Sequence, residues 1–210
     1  MKINRLVLGA YQTNSYVLRA SEAAAACLIV DTGLEAGDLV DFLGEHELDP
    51  VGLILTHGHA DHIGGIDALR ENFADMKVCI HRIDAPMLSE AERNLSALAG
   101  APFTTTAADL LLEEGDKVHE AEIWLQVLHT PGHTPGGICL YSKDEGIVFV
   151  GDTLFADSVG RTDFPGGSMA QLVESIRQKL LVLPDETVVY PGHGPATTLG
   201  QERAHNQFLR

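Results

Sequence analysis

Short apolar runs separated by turns rich in Gly, Pro and Asp dominate the chain, and their lengths predict strands more often than helices. Ile3 to Leu8, Ser15 to Arg19 and Cys27 to Val30 read as strands, the last ending in Asp31-Thr32-Gly33. Glu35 to Leu48 carries its apolar residues at Leu39, Val40, Phe42 and Leu43, the stripe of an amphipathic helix. Val51 to Leu55 is apolar throughout, as a strand covered on both faces is, and it runs straight into Thr56-His57-Gly58-His59-Ala60-Asp61-His62 and a helical stretch to Phe73. A strand follows at Lys77 to His81, and Pro86 to Leu98 reads as a helix with Pro86 in its first turn. Strand patterns return from Leu110 to Val150, broken at Glu114-Gly115-Asp116, Pro131-Gly132 and Asp144-Glu145-Gly146. The remainder predicts a helix over Met169 to Leu181, a strand over Thr187 to Tyr190 and a helix from Leu199. Two β-rich halves, each followed by helices, predict an α/β sandwich of sheets flanked by helices. No polar linker, repeat or low-complexity tract divides residues 1–210, so one domain is expected.

Composition narrows the function. With 45% hydrophobic and 21% charged residues the chain is able to bury a sizeable core, and disorder is excluded. A formal net charge of -16 excludes nucleic acid and anionic membrane surfaces as electrostatic partners, and an anionic substrate must be met by a few local cations. Polar residues interrupt the apolar positions near the N-terminus, and no later run approaches the ~20 apolar residues of a membrane span. Cys27, Cys79 and Cys139 are odd in number and each lies in a strand-like run. They read as buried free thiols, so a cytoplasmic location is expected.

The chemistry is concentrated at strand ends. His57, His59, Asp61 and His62 fall within six residues, where a loop turns several side chains toward one point. Imidazole nitrogen and carboxylate oxygen are the donors that Zn²⁺, Fe²⁺ and Mn²⁺ accept, and crowded histidines would repel one another if protonated. Three further candidates are delivered in the same manner. His133 sits in a Gly- and Pro-braced turn after Trp124 to Leu128, Asp152 follows Ile147 to Gly151, and His193 follows Val188 to Gly192. His129 competes with His133 but stands at a strand end and reads as structural, as do His46, His81, His119 and His205. Asp31 reads as a support for a histidine N–H or as a turn former, Arg161 as a partner of Asp163 or a contact for a substrate carboxylate, and Tyr141 and Tyr190 as core or wall aromatics.

In order, His57-x-His59-x-Asp61-His62, His133, Asp152 and His193 resemble the ligand series of the metallo-β-lactamase superfamily. The resemblance implies an αββα sandwich and two divalent ions per chain, zinc first, with iron or manganese as alternatives. It assigns His57, His59 and His133 to one ion, Asp61, His62 and His193 to the other, and Asp152 as the bridge. The common secreted metallo-β-lactamases differ at the positions of His62 and Asp152, which argues against antibiotic hydrolysis as the main role. Gly151-Asp152-Thr153-Leu154-Phe155 and Gly160 to Gly167 are similar to hydroxyacylglutathione hydrolases (glyoxalase II) and to persulfide dioxygenases. Hydrolysis of a small thioester by a metal-bridged hydroxide is therefore expected, with Asp152 and Asp61 as the catalytic carboxylates. Because little sequence follows His193, the chain resembles short bacterial glyoxalase II-like proteins without a helical glutathione-binding domain. The alternatives are an iron dioxygenase using His57, His133 and Asp152, a lactonase or other ester hydrolase, and a metal-binding module without hydrolytic activity.

Overall fold

The computed structural model describes residues 1–210. Its first sheet runs β1 (Lys2–Leu8), β2 (Thr13–Arg19), β3 (Ala26–Val30), β4 (Asp49–Leu55), β5 (Lys77–His81) and β6 (Leu110–Leu112), in that spatial order. β1 to β3 pair antiparallel, while β3 to β6 are parallel and joined by crossovers. The crossovers hold α1 (Gly37–Glu45), α2 (Ala60–Ile63) and α3 (Ile66–Asn72). The second sheet contains β7 (Lys117–Glu120), β8 (Ile123–His129), β9 (Ile138–Ser142), β10 (Ile147–Gly151), β13 (Val188–Pro191) and β14 (Thr197–Thr198). Its spatial order is β14-β13-β10-β9-β8-β7, and only the β10–β13 pair is parallel. Between β10 and β13 lie a small hairpin, β11 (Leu154–Phe155) and β12 (Ser158–Val159), and α4 (Met169–Ser175); α5 (Leu199–His205) follows β14.

Side-chain alternation sorts the apolar residues into three layers. In β10, Ile147 and Phe149 point between the sheets with Ile54, Leu125 and Leu140, while Val148 and Val150 point outward onto Leu172, Ile176 and Leu199. On the far side Leu39 and Leu43 of α1 and Ile66 and Leu69 of α3 cover Ile29, Leu53 and Leu55. The result is the αββα sandwich expected from the sequence. No helix is long and apolar enough to cross a membrane.

The expected helix over Pro86 to Leu98 is corrected. Only a 3₁₀ segment, Ala85–Ser89, forms there. Beyond it, Asn94 competes with the helix: its Oδ1 accepts the Ser96 N–H and its Nδ2 donates to the Phe103 carbonyl, while Leu95 takes a left-handed φ of 70°. Two smaller differences concern other helices. The helix to Phe73 is split at Gly64-Gly65, and the helix from Met169 loosens into a π-helical turn over Ile176–Leu180. The hairpin of β11 and β12 was not expected.

Candidate metal centre

β4, β8, β10 and β13 all end at one edge of the sandwich, and the loops that follow them bring the seven expected residues together. His57, His59 and His133 form one group, Asp61, His62 and His193 a second, and His57, His62 and Asp152 a third; within each, the ligand atoms lie within 4.8 Å of one another. Asp152 touches both halves, with Oδ2 3.7 Å from His133 Nε2 and 3.6 Å from His193 Nε2, and Oδ1 3.4 Å from His62 Nε2. His59 Nδ1 is 2.9 Å from His133 Nε2, and Asp61 Oδ2 is 3.1 Å from His193 Nε2. Gly192 is required between these loops, because a Cβ there would collide with Asp152 Oδ1 and His62.

Four of the five imidazoles are anchored through the nitrogen that faces away. His62 Nδ1 donates to Asp31 Oδ2 at 2.8 Å, His133 Nδ1 to the Arg161 carbonyl at 2.7 Å, and His193 Nδ1 to the Tyr11 carbonyl at 3.1 Å. His57 Nδ1 meets Thr56 Oγ1 at 3.1 Å. Such anchors fix ring orientation and turn Nε2 toward the cluster. Asp31 thus supports a histidine N–H, and it also accepts the Thr56 N–H and hydroxyl, both at 2.8 Å.

Two buried atoms in the cluster have no hydrogen-bond partner, His57 Nε2 and Asp152 Oδ1. An unpaired buried polar atom costs about 1–3 kcal/mol, which a cation shared by these lone pairs would remove. The residues therefore fit a dinuclear metal centre. The electrostatics agree. Burial pushes His57 well below the usual imidazole value, with His62, His59 and His133 adding to the effect, and burial and His133 bring His59 down to about 3. Burial also opposes charge on His62, but Asp31, Asp61 and Asp152 outweigh it and hold His62 well above the usual value. Burial works against Asp152 as a carboxylate too, yet His62, His133 and His193 keep it far below the normal carboxyl range.

Arg161 is exposed. Its guanidinium grips Asp163 through both oxygens, at 2.7 and 2.6 Å, and lies 4.0 Å over the Phe164 ring. Phe164 in turn stands edge-on to His59 at 5.6 Å, and Phe155 lies 6.3 Å from His193, so an aromatic ring neighbours each half of the cluster. His129 stays outside: Nε2 bonds the Pro135 carbonyl at 2.9 Å and the ring stacks on His81 at 4.2 Å. Tyr190 is a core aromatic against Phe149 and Tyr16, and the three cysteines are buried and free. Sequence reasoning missed Thr13, whose hydroxyl lies 3.4 Å from Asp61 Oδ2, and Asn14, whose amide holds the Pro191 and Gly194 carbonyls, both at 2.9 Å, on either side of His193.

Fold and cluster together define an αββα protein whose paired sheets present, at one edge, a His/Asp cluster suited to a dinuclear metal site. The sequence profile of the metallo-beta-lactamase superfamily matches residues 8–193, and the chain belongs to that superfamily. Among curated relatives it is 40% identical to the "Probable metallo-hydrolase YqgX" of Bacillus subtilis, over 100% of this chain and 98% of that one. It is 36% identical to the hydroxyacylglutathione hydrolase GloC of Haemophilus influenzae, again over 100% and 98%. Among solved structures it superimposes on the BLEG-1 B3 metallo-beta-lactamase with a TM-score of 0.93, 40% identity and 99% coverage of both chains. A di-iron-bound form of TTHA1623 follows with a TM-score of 0.86 and 38% identity, over 98% of this chain and 100% of that one. The chain is thus a metallo-hydrolase of this superfamily.

Proposed function

We propose that the chain hydrolyses small thioesters, S-lactoylglutathione or a related hydroxyacyl thioester, to a hydroxy acid and a thiol. The observation that carries the hydrolytic part is Asp152 set between two complete groups of ligands. The thioester part is supported by the full-length likeness to GloC. His57, His59 and His133 would hold one divalent ion and Asp61, His62 and His193 the other. Such ions would lower the pKa of a water from ~15.7 toward neutrality and stabilise the oxyanion that forms when the carbonyl is attacked. Zinc is the proposed metal, and the di-iron form of TTHA1623 makes iron the alternative.

The chain's own residues set the geometry. The anchored rings turn Nε2 inward, and Asp152 stands between the two halves. Asp61 Oδ2, beside the Thr13 hydroxyl, is placed to accept a hydrogen bond from the attacking water and orient it. Phe155 and Phe164 limit the space on either side for substrate. A thiol of pKa ~8.5 departs as thiolate, so no general acid is needed. The buried free thiols fit a reducing compartment, and we place the protein in the cytoplasm.

A second reading, β-lactam hydrolysis, is favoured by the likeness to BLEG-1. It ranks lower because an amine leaving group must be protonated, and the cluster offers no free acid for that step. The test is thiol release from S-lactoylglutathione by purified protein, with metal content read on the same sample and a β-lactam assayed beside it. Turnover of the thioester with close to two ions per chain supports the proposal. Turnover confined to the β-lactam replaces it with the second reading. No hydrolysis of either, with one iron per chain and oxygen uptake on glutathione persulfide, replaces it with a dioxygenase.

A further inference from the structure

The three-histidine half is assembled from loops of different sheets. His57 and His59 follow β4 of the first sheet, and His133 lies in the turn after β8 of the second. A buried carboxylate outside the seven ligands joins them. Asp84 stands between β5 and the 3₁₀ segment, 1% exposed. Its Oδ2 accepts the Gly58 N–H at 3.3 Å and the Thr134 hydroxyl at 2.7 Å, and its Oδ1 accepts the Gly136 N–H at 2.7 Å. Gly58 lies between His57 and His59; Thr134 directly follows His133.

Both glycines are shaped for this junction. A Cβ on Gly136 would stand 2.6 Å from Asp84 Oδ1, and one on Gly58 would stand 2.6 Å from Met87, in the same segment as Asp84. Neither position has room for a side chain. The other half needs no such junction, because Asp31 holds His62 directly.

We infer that Asp84 is a positioning residue for the three-histidine metal position: by fixing the His57–His59 loop against the His133 turn, it sustains affinity there and leaves the Asp61–His62–His193 position alone. The inference rests on the metal-binding reading of the cluster and is independent of the thioester. Asp84→Asn puts an NH₂ where Oδ2 accepts the Gly58 N–H, so two donors then face each other. Thr134→Val removes one of the three bonds and keeps the carboxylate.

Zinc alone is the probe. Wild-type, Asp84→Asn and Thr134→Val proteins are stripped of metal, melted to compare their stability, and titrated with zinc against a chromophoric chelator. Wild type should bind two ions. In Asp84→Asn one ion should weaken about 10–100-fold, the usual effect of losing a support behind a ligand, and the other should keep its affinity. Thr134→Val should show a smaller loss at the same ion, and it decides the matter if Asp84→Asn does not fold. Placing Asp84→Asn in a His193→Ala background should weaken the remaining ion, whereas in a His59→Ala background it should change little. Unchanged affinities, or both ions weakened alike, overturn the role of Asp84. Fewer than two zinc ions on wild type overturns the two-metal reading first, and this inference with it.

Discussion

His57 and His62 have ring centroids 4.1 Å apart, yet their surroundings drive their basicities in opposite directions. The difference is the carboxylates: three of them face His62, while His57 faces imidazoles. Asp152 is the group that both halves share, so Asp152→Ala should lower metal content below two ions per chain and thiol release by at least about a hundredfold, read by elemental analysis and a thiol assay. His129→Ala should leave metal content unchanged, since that ring spends its nitrogen on the Pro135 carbonyl; loss of an ion would break the ligand assignment. His81 carries a pH effect away from the cluster. Burial, the neighbouring His129 and Arg82 bring its pKa from 6.5 down to about 4, against the pull of Asp116 and Glu114. The folded state therefore refuses a proton that the unfolded chain accepts, and the resulting stability is present above 6.5 and lost as pH falls toward 4. In His81→Gln, the slope of unfolding free energy against pH should flatten in that window by up to about one proton per molecule. An unchanged slope would show that His81 titrates normally.

At the scale of elements, the centre depends on how closely the ends of β4 and β10 approach. Gly151 closes β10 at a φ of +48°, and a Cβ there would run into the Thr56 side chain, the same hydroxyl that meets Asp31 and His57. Gly151→Ala combines left-handed strain of about 1–2 kcal/mol with that clash, so a loss of at least about 2 kcal/mol is expected. It should appear as a lower denaturation midpoint at constant m-value, together with weaker metal binding, because the displaced Thr56 carries His57 with it. A midpoint equal to wild type would mean the two strand ends have slack. Strand ends were also where the sequence was most legible. His133, Asp152 and His193 each follow an apolar run closed by Gly or Pro-Gly, and His57 to His62 follow an apolar strand directly. Contacts between loops were not legible in the same way: Asp84 reads as an ordinary turn acid until Gly58 and Gly136 are seen against it. The helix expected over Pro86 to Leu98 failed for a related reason, since Met87, Leu88, Leu95 and Leu98 have suitable spacing but Asn94 captures backbone groups that the helix would need. The hairpin of β11 and β12 is two residues per strand, too short for alternation to register.

For the whole molecule, the formal charge of -16 would set how the proposed anionic thioester arrives. Of the cations on the site's loops, Arg161 is paired with Asp163, and Arg5, which donates to the Gly194 carbonyl at 3.1 Å, is left as a single unpaired charge. An approaching glutathione thioester, itself net negative, therefore meets repulsion at long range with little local attraction to offset it. Raising ionic strength from about 10 mM to about 150 mM shortens the Debye length from ~30 to ~8 Å and screens that repulsion. Accordingly kcat/KM for S-lactoylglutathione should rise with salt, by several-fold given the size of steering effects in general, while an uncharged thioester such as one of N-acetylcysteamine should show no such rise. The comparison separates the field from any direct effect of salt on the centre, which would move both substrates together. If kcat/KM for the anionic substrate instead falls with salt, a local cation outweighs the net charge, and Arg5→Gln and Arg161→Gln would show which one by abolishing the fall.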